Sequence, residues 1–213
     1  MNKESTLATI ARLKSLPFGS TRLATSHRDA PLSLVLLTSD KGDDRELLTL
    51  LSDWRRRHED WFLAVFPVTV DGTARWYRDR LILAPDRLLF MIEAGGEYLG
   101  HVGLFRFDFA DGTCEIDNIV RGSDRLPGVM EPAIRLMMAW GRRELGVTGY
   151  RLQTFSNNER AQRLYTKLGF RETARAPLVR VVDGERSEWV DAPAGRGPIE
   201  RYNVFMSDAG ADE

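Results

Sequence analysis

"DNIVRGSDRLPGVMEPAI", residues 117–134, contains the join on which the fold turns. A strand-like run ends at Val120, Gly122 and the Pro127–Gly128 pair break it, and Ala133, Ile134, Met137, Met138 and Trp140 then recur at helical spacing. Pro132 is tolerated only in a first helical turn, so the helix is expected to begin near residues 129–131. A strand, a glycine turn and a helix start present free backbone N–H groups and the positive end of a helix dipole, which suits a phosphate. Gly128, Val129, Met130 and Glu131 would supply those groups, with Arg121 and Arg125 adding charge. The same pattern also describes an ordinary strand and helix, and no G-K-[ST] follows to make it a P-loop.

Three strand-like runs lead up to this join: "DRLLFMIEA", "EYLGHVGLFRFD" and "GTCEIDNIV". The short glycine-bearing links between them imply an antiparallel meander. Further upstream, "LSLVLLTS" (32–39) reads as a strand, and "DKGDDRELLTLLSDWRRRHEDWF" and "VTVDGTARWYRDRLI" read as helices, the second with Ala74, Tyr77 and Leu81 inward. Residues 1–32 are polar and broken by "LPFGS" and "RDAP", so they are expected to form an N-terminal arm with one short helix in "STLATIARLKSL". Downstream lie a strand ("YRLQTFS"), a helix, two closing strands ("APLVRVVDGERSEWV" and "RYNVFMS") and a tail at 207–213. The expected architecture is a mixed α/β (α+β) domain over 33–206, with a mainly antiparallel sheet of about seven strands flanked by helices. Whether 181–202 is a hairpin with a long loop or a lid stays open.

The second informative stretch is "SNNERAQRLYTKLGF", residues 156–170. Asn157 or Asn158 can cap the helix, Ala161, Leu164, Tyr165 and Leu168 fall at i, i+3, i+4 and i+7, and Gly169 suits a left-handed C-terminal residue. Folding alone explains every one of these residues, so Tyr165 in isolation reads as a core tyrosine.

Composition narrows the function classes. With 213 residues and 43% hydrophobic content, the chain can build one sizeable core. Thirty Lys plus Arg against 31 Asp plus Glu leave a formal charge of −1, so no global field recruits nucleic acid or an anionic membrane. The single cysteine, Cys114, excludes an intrachain disulfide or a multi-Cys zinc site; its strand-like flanks suit a buried structural thiol, with a catalytic one formally open. The three histidines lack metal-ligand spacing, so no metal is expected. No run reaches the roughly 18 apolar residues of a membrane span, and the N-terminus does not look secretory, so a cytoplasmic protein is expected.

Taken together, the two quoted stretches resemble the acyl-CoA site of the GNAT acetyltransferase superfamily. The likeness covers roughly residues 33–206, with its specific part between 115 and 170. It implies acetyl-CoA as co-substrate. The backbone of Ile119 and Val120 would hold the pantetheine arm, and the turn from Arg125 through Leu126, Gly128 and Val129 to Met130 would hold the pyrophosphate, matching the pattern [RQ]-x-x-G-x-[GA]. Met130 departs from the small residue usual at the last position, and Glu131 places a carboxylate near a phosphate. In N-x-x-A-x-x-L-Y-x-K-L-G-F, Asn158 matches the residue that contacts the cofactor arm, and Tyr165 the acid beside the thioester sulfur. Glu115 and Asp117 alternate along one strand face, so either could take the proton from the attacking amine, with Glu115 favoured by the resemblance. His101 is a weaker base and more simply structural.

Acceptor recognition is expected from the early helices. Trp54 and Arg55 in one, and Trp76 in the other, interleave aromatics with arginines, which suits a flat anionic ligand but equally describes a helix pair with solvated arginines. His101 would border the same site. The resemblance extends to bacterial enzymes that acetylate amino groups on nucleotide-linked sugars, and also to ribosomal-protein N-terminal acetyltransferases. The expected acceptor is therefore a small-molecule amine, with the aminosugar favoured. A protein N-terminus, or no turnover at all in an acyl-CoA-binding domain, is the alternative. A homodimer is compatible with this reading.

Overall fold

The computed structural model of the chain describes residues 1–193 and 199–208. Its elements are α1 (Lys3–Ser15), β1 (Arg22–His27), β2 (Ala30–Leu36), α2 (Arg45–Arg57), β3 (Ala64–Val65) and α3 (Val70–Trp76), which runs on as a π-helical turn over Tyr77–Ile82. After it come β4 (Leu88–Ala94), β5 (Glu97–Asp108), β6 (Thr113–Arg121), α4 (Met130–Leu145), β7 (Gly149–Phe155), α5 (Glu159–Leu168), β8 (Phe170–Asp183), β9 (Arg186–Asp191) and β10 (Arg201–Asp208). The ten strands form one sheet in the order β1-β2-β4-β5-β6-β7-β10-β8-β9-β3. Every pairing is antiparallel except β6 with β7.

Alternation along β4 defines the two faces. Leu88, Phe90 and Ile92 join the larger core with residues of α1, α4 and α5, while Leu89 and Met91 join a second core with residues of α2 and the turn after α3. The result is three layers, with helices on both sides of the sheet. In the larger core the Trp140 ring meets Phe90 edge-on, with centroids 5.2 Å apart. No helix among the described residues is long and apolar enough to cross a membrane.

Three expectations change. Ten strands replace about seven, because β1 and the two-residue β3 were not foreseen and "APLVRVVDGERSEWV" makes two strands. Residues 1–32 hold the one short helix expected, α1, and a strand that was not expected, and both pack onto the domain: Ile10 of α1 is fully buried in the larger core, and β1 pairs with β2 from Arg22↔Val35 to His27↔Ala30. Lys14 is also buried and donates to the carbonyls of Leu81 (2.8 Å), Ile82 (3.2 Å) and Ala84, so α1 closes the C-terminal end of the π-helical turn. At the other terminus Ser207 and Asp208 belong to β10, and Asp208 is buried, accepting from Arg142 at 2.6 Å and from the Tyr150 N–H at 2.7 Å. The rest of the expected tail, 209–213, lies outside the described residues. Between 181 and 202 the chain forms the β8–β9 hairpin and enters β10; the loop at 194–198 also lies outside the described residues.

Trp54 is the fourth correction. It is 1% exposed, within the second core, and its indole lies flat against Gly122 at the end of β6. A Cβ on Gly122 would stand 2.0 Å from Trp54 Cε2, which explains why the strand ends in Arg-Gly. Gly122→Ala is therefore expected to destabilise the protein by about 2–3 kcal/mol in a urea titration, since overpacking against a ring fixed in the core cannot relax cheaply. An unchanged midpoint would mean the indole is not seated there.

Candidate active site

The site begins where β6 and β7 part. Their parallel pairing lasts only from Thr113↔Gly149 to Glu115↔Arg151, after which β7 bonds only to β10. The cause lies in β6. Between the pairs His101↔Val120 and Gly103↔Asp117, β5 advances two residues and β6 three, with Asn118 at φ +48° in the bulge. A bulge bends its strand and re-aims its side chains. The splay leaves a cleft of about 650 Å³ lined on one side by Ile116–Arg121 and on the other by Gln153–Phe155. The β6 edge facing it has backbone groups without a ladder partner, which suits an extended chain bearing amides.

One end of the cleft is the start of α4. Its N-cap residue, Val129, makes no side-chain cap, and Gly128 turns the chain at φ +83°. Gly128 and Met130 line the cleft, as do the cationic side chains of Arg121, Arg160 and Lys167. An uncapped helix start beside three cations is chemically suited to a pyrophosphate. Glu131 does not oppose this, because Lys167 (2.6 Å) and Arg135 (3.3 Å) pair with its carboxylate and hold it ionised below its usual range. Asn158 caps α5 by accepting from the Ala161 N–H at 3.2 Å, and it also lines the cleft. Helix cap and cleft wall are thus one side chain. These residues together fit an acyl-CoA.

Midway along lies Tyr165, 5% exposed, packed edge-on against Phe170 and lining the same cleft. Burial raises its pKa, so the hydroxyl stays protonated. No hydrogen bond from that hydroxyl to another described residue is present. Glu115 and Asp117 both line the cleft, but their surroundings differ. Glu115 accepts from Gln153 Nε2 at 2.9 Å on one oxygen and from Arg106 at 3.1 Å on the other. Asp117 Oδ2 accepts from Arg87 at 3.1 Å and from Asn118 Nδ2 at 2.8 Å, while Oδ1 is buried without a partner. Gly103 makes room for it, since a Cβ there would stand 2.9 Å from Asp117 Oδ1. Burial pushes this carboxyl up to about 6, against the pull of the Arg87 guanidinium. Of the two carboxylates, Asp117 has the character of a base working near neutrality.

The cleft is bridged by the link between α2 and α3. Arg57 donates to Gly122 O at 3.2 Å and His58 Nε2 lies 2.9 Å from Arg121 O, which ties the link to β6. Its Ala64 and Val65 form β3, paired to Glu188 and Ser187 of β9 on the opposite half of the sheet. Behind this bridge is a second cavity of about 580 Å³, which shares Arg55, Phe62 and Asn118 with the first and also contains Trp76 and His101. His101 is buried, its Nδ1 2.7 Å from Asn118 O, and desolvation lowers its pKa to about 4, so it stays neutral and pins the bulge.

Several expected site residues therefore sit elsewhere. Arg125 does not line the cleft: its guanidinium is exposed and pairs with Glu97. Leu126 is partly buried against the larger core, and Val129 lies fully within it, leaving them only their backbone to offer. Trp54, in the second core, reaches neither cavity. The residues that sequence reasoning missed are Arg87, Arg106, Gln153, Arg160 and Lys167. Arg160 and Lys167 are seven apart on α5, a same-face spacing that was available; the others come together only through sheet pairing.

A family model described as Acetyltransferase (GNAT) domain matches residues 32–171. No curated protein matches in sequence. Among solved structures, a probable GNAT-family acetyltransferase from Chromobacterium violaceum ATCC 12472 is similar over 90% of this chain and 91% of its own, with a TM-score of 0.61 and 19% identity. Spermidine N-acetyltransferase from Vibrio cholerae, solved with CoA and spermine, is similar over 84% of this chain and 97% of its own, at TM-score 0.61 and 15% identity. A manganese complex of the Vibrio cholerae spermidine/spermine enzyme gives 0.59 at 15% identity, over 83% of this chain and 91% of its own. At such identities the likeness speaks for the fold.

The Asp117 carboxyl is expected to titrate with a midpoint near 6 when followed by carbon-13 NMR, and Arg87→Met, by removing the nearby cation, is expected to raise it further. A midpoint near 4 would contradict the burial argument.

Proposed function

The chain belongs to the GNAT acetyltransferase family, and from that premise we propose that it moves an acetyl group from acetyl-CoA to the primary amine of a small molecule. The observation that carries this reading is the β6–β7 splay, whose cleft is lined by an uncapped helix start with three cations and by the Glu115–Asp117 pair. Ile119 and Val120 offer their backbone edge, Gly128 and Met130 their amides, Asn158 its amide side chain. Acetyl-CoA supplies the acyl group as an activated thioester.

Asp117 takes the proton of the incoming ammonium, directly or through water, so that a neutral nitrogen attacks the acyl carbon. Its raised pKa suits the task better than Glu115, whose two oxygens are already engaged by Gln153 and Arg106. Tyr165 donates a hydrogen bond to the departing sulfur; being protonated throughout, it has a proton to offer at any working pH.

The acceptor is read as a small amine, the class named for the Vibrio cholerae structures. An amino group on a nucleotide-linked sugar loses the support of Trp54 and keeps that of Arg55 and Trp76. Thiol release from acetyl-CoA with a panel of small amines, nucleotide aminosugars and N-terminal peptides tests the reading. CoA binding without release from any of them would leave an acyl-CoA-binding domain. With a productive amine, Tyr165→Phe is expected to lower kcat about 10- to 10³-fold with little change in CoA affinity, because water can partly replace the hydroxyl. Unchanged turnover would return Tyr165 to packing.

A further inference from the structure

Arg55 stands between the two cavities. Its guanidinium carbon lies 3.4 Å from the centroid of Phe62 and 5.2 Å from that of Phe66, and Nη2 donates to Ala64 O at 2.6 Å. Nη1 is buried and has no hydrogen-bond partner, and no carboxylate of the described residues is within ion-pair distance of this side chain. Burial lowers its pKa to about 10 against the more distant pull of the Glu59 carboxylate, which still leaves it charged at neutral pH. Buried guanidinium groups ordinarily have an anion to face, because a desolvated charge without one is costly. The same side chain lines both cavities.

The surroundings strengthen the sign of the site. Arg75 and Arg80 line the second cavity with one carboxylate, Asp79, which is already paired with Arg78 at 2.8 Å. A polyamine placed there would add positive charge to positive charge. An acidic group would give the Arg55 guanidinium an anion in a charge-assisted contact, with Nη1 turning toward it.

We propose that the acceptor amine also carries an acidic group, a carboxylate or a phosphate, which seats on Arg55 in the second cavity while the amine reaches toward Asp117. This rests on the acetyltransferase reading and specifies its substrate class. Arg55 acts as the specificity-determining residue, and Phe62, stacked on it, holds the fork at the shared wall.

The test compares matched amines: 3-aminopropionate, 4-aminobutyrate, 6-aminohexanoate and O-phosphoethanolamine against propylamine, butylamine, hexylamine and ethylamine in turn, with spermidine alongside. The measurements are kcat/KM from thiol release, and binding by calorimetry with CoA present. At least one acid-bearing amine is expected to exceed its plain counterpart about 10²-fold, and Arg55→Met to bring that ratio to within about threefold. Arg55→Lys, which keeps the charge but loses the fork, is expected to retain part of the ratio, and thermal melts check that each variant is folded. The carboxylate and phosphate probes tell which acid the site takes. A preference for spermidine or a plain amine, or a ratio unaltered by Arg55→Met, would overturn the proposal. If no amine is acetylated, the transfer reading fails separately and calorimetry decides: binding of an acid-bearing amine that Arg55→Met abolishes upholds the site, and absence of such binding overturns it.

Discussion

The parallel ladder between β6 and β7 is three residue pairs long, and the architecture of the site follows from its stopping there. One extra residue in β6, at Asn118 with φ +48°, ends the pairing. A non-glycine residue in that conformation carries strain, and asparagine carries it most cheaply. The neighbouring structure over-determines it: His101 bonds the Asn118 carbonyl from the adjacent strand, and Gly103 vacates the space that Asp117 enters. The sheet is therefore continuous on both sides of a cleft that no loop had to build.

That cleft has an electrostatic gradient along its length. At the α4 end, a helix dipole and the side chains of Arg121, Arg160 and Lys167 gather positive charge, with two nearby carboxylates matched: Glu131 by Lys167 and Arg135, and Asp124 by Arg121. At the centre, two carboxylates are held against arginines, one fully engaged and one with an oxygen left unbonded in a dry setting. Beyond them, Arg55 carries a charge with no carboxylate of the described residues in ion-pair contact, Glu59 acting on it only from a distance. The helices on either face supply rigidity, and the β3 bridge fastens the two halves of the sheet together.

What could be read in the sequence was what local rules govern. The start of α4, the cap at Asn158 and the C-terminal glycine of α5 at φ +101° each follow from one or two residues acting on their own turn. Strand β1 could not be read because four of its six residues are exposed and none is buried, so no alternation marks it; it exists through its pairing with β2. Trp54 was misplaced although Leu47, Leu51 and Trp54 recur at i, i+4 and i+7, which puts the indole on the buried face of α2 and leaves Arg55 at its flank. Arg125 followed a motif position, but Glu97, close only in the folded sheet, claims its side chain. The pairing of Arg87 with Asp117 needs three adjacent strands in register, information that spacing along the chain does not carry.

Central to all of this is the claim that the splayed edge of β6 and the start of α4 form one binding surface for acyl-CoA. Amide hydrogen exchange with and without acetyl-CoA measures it directly. The account predicts that protection rises together at 116–121 and at 128–131 when acetyl-CoA binds, with the antiparallel β1–β2 pairing unaffected. Binding that protects neither stretch, or only one, would contradict it.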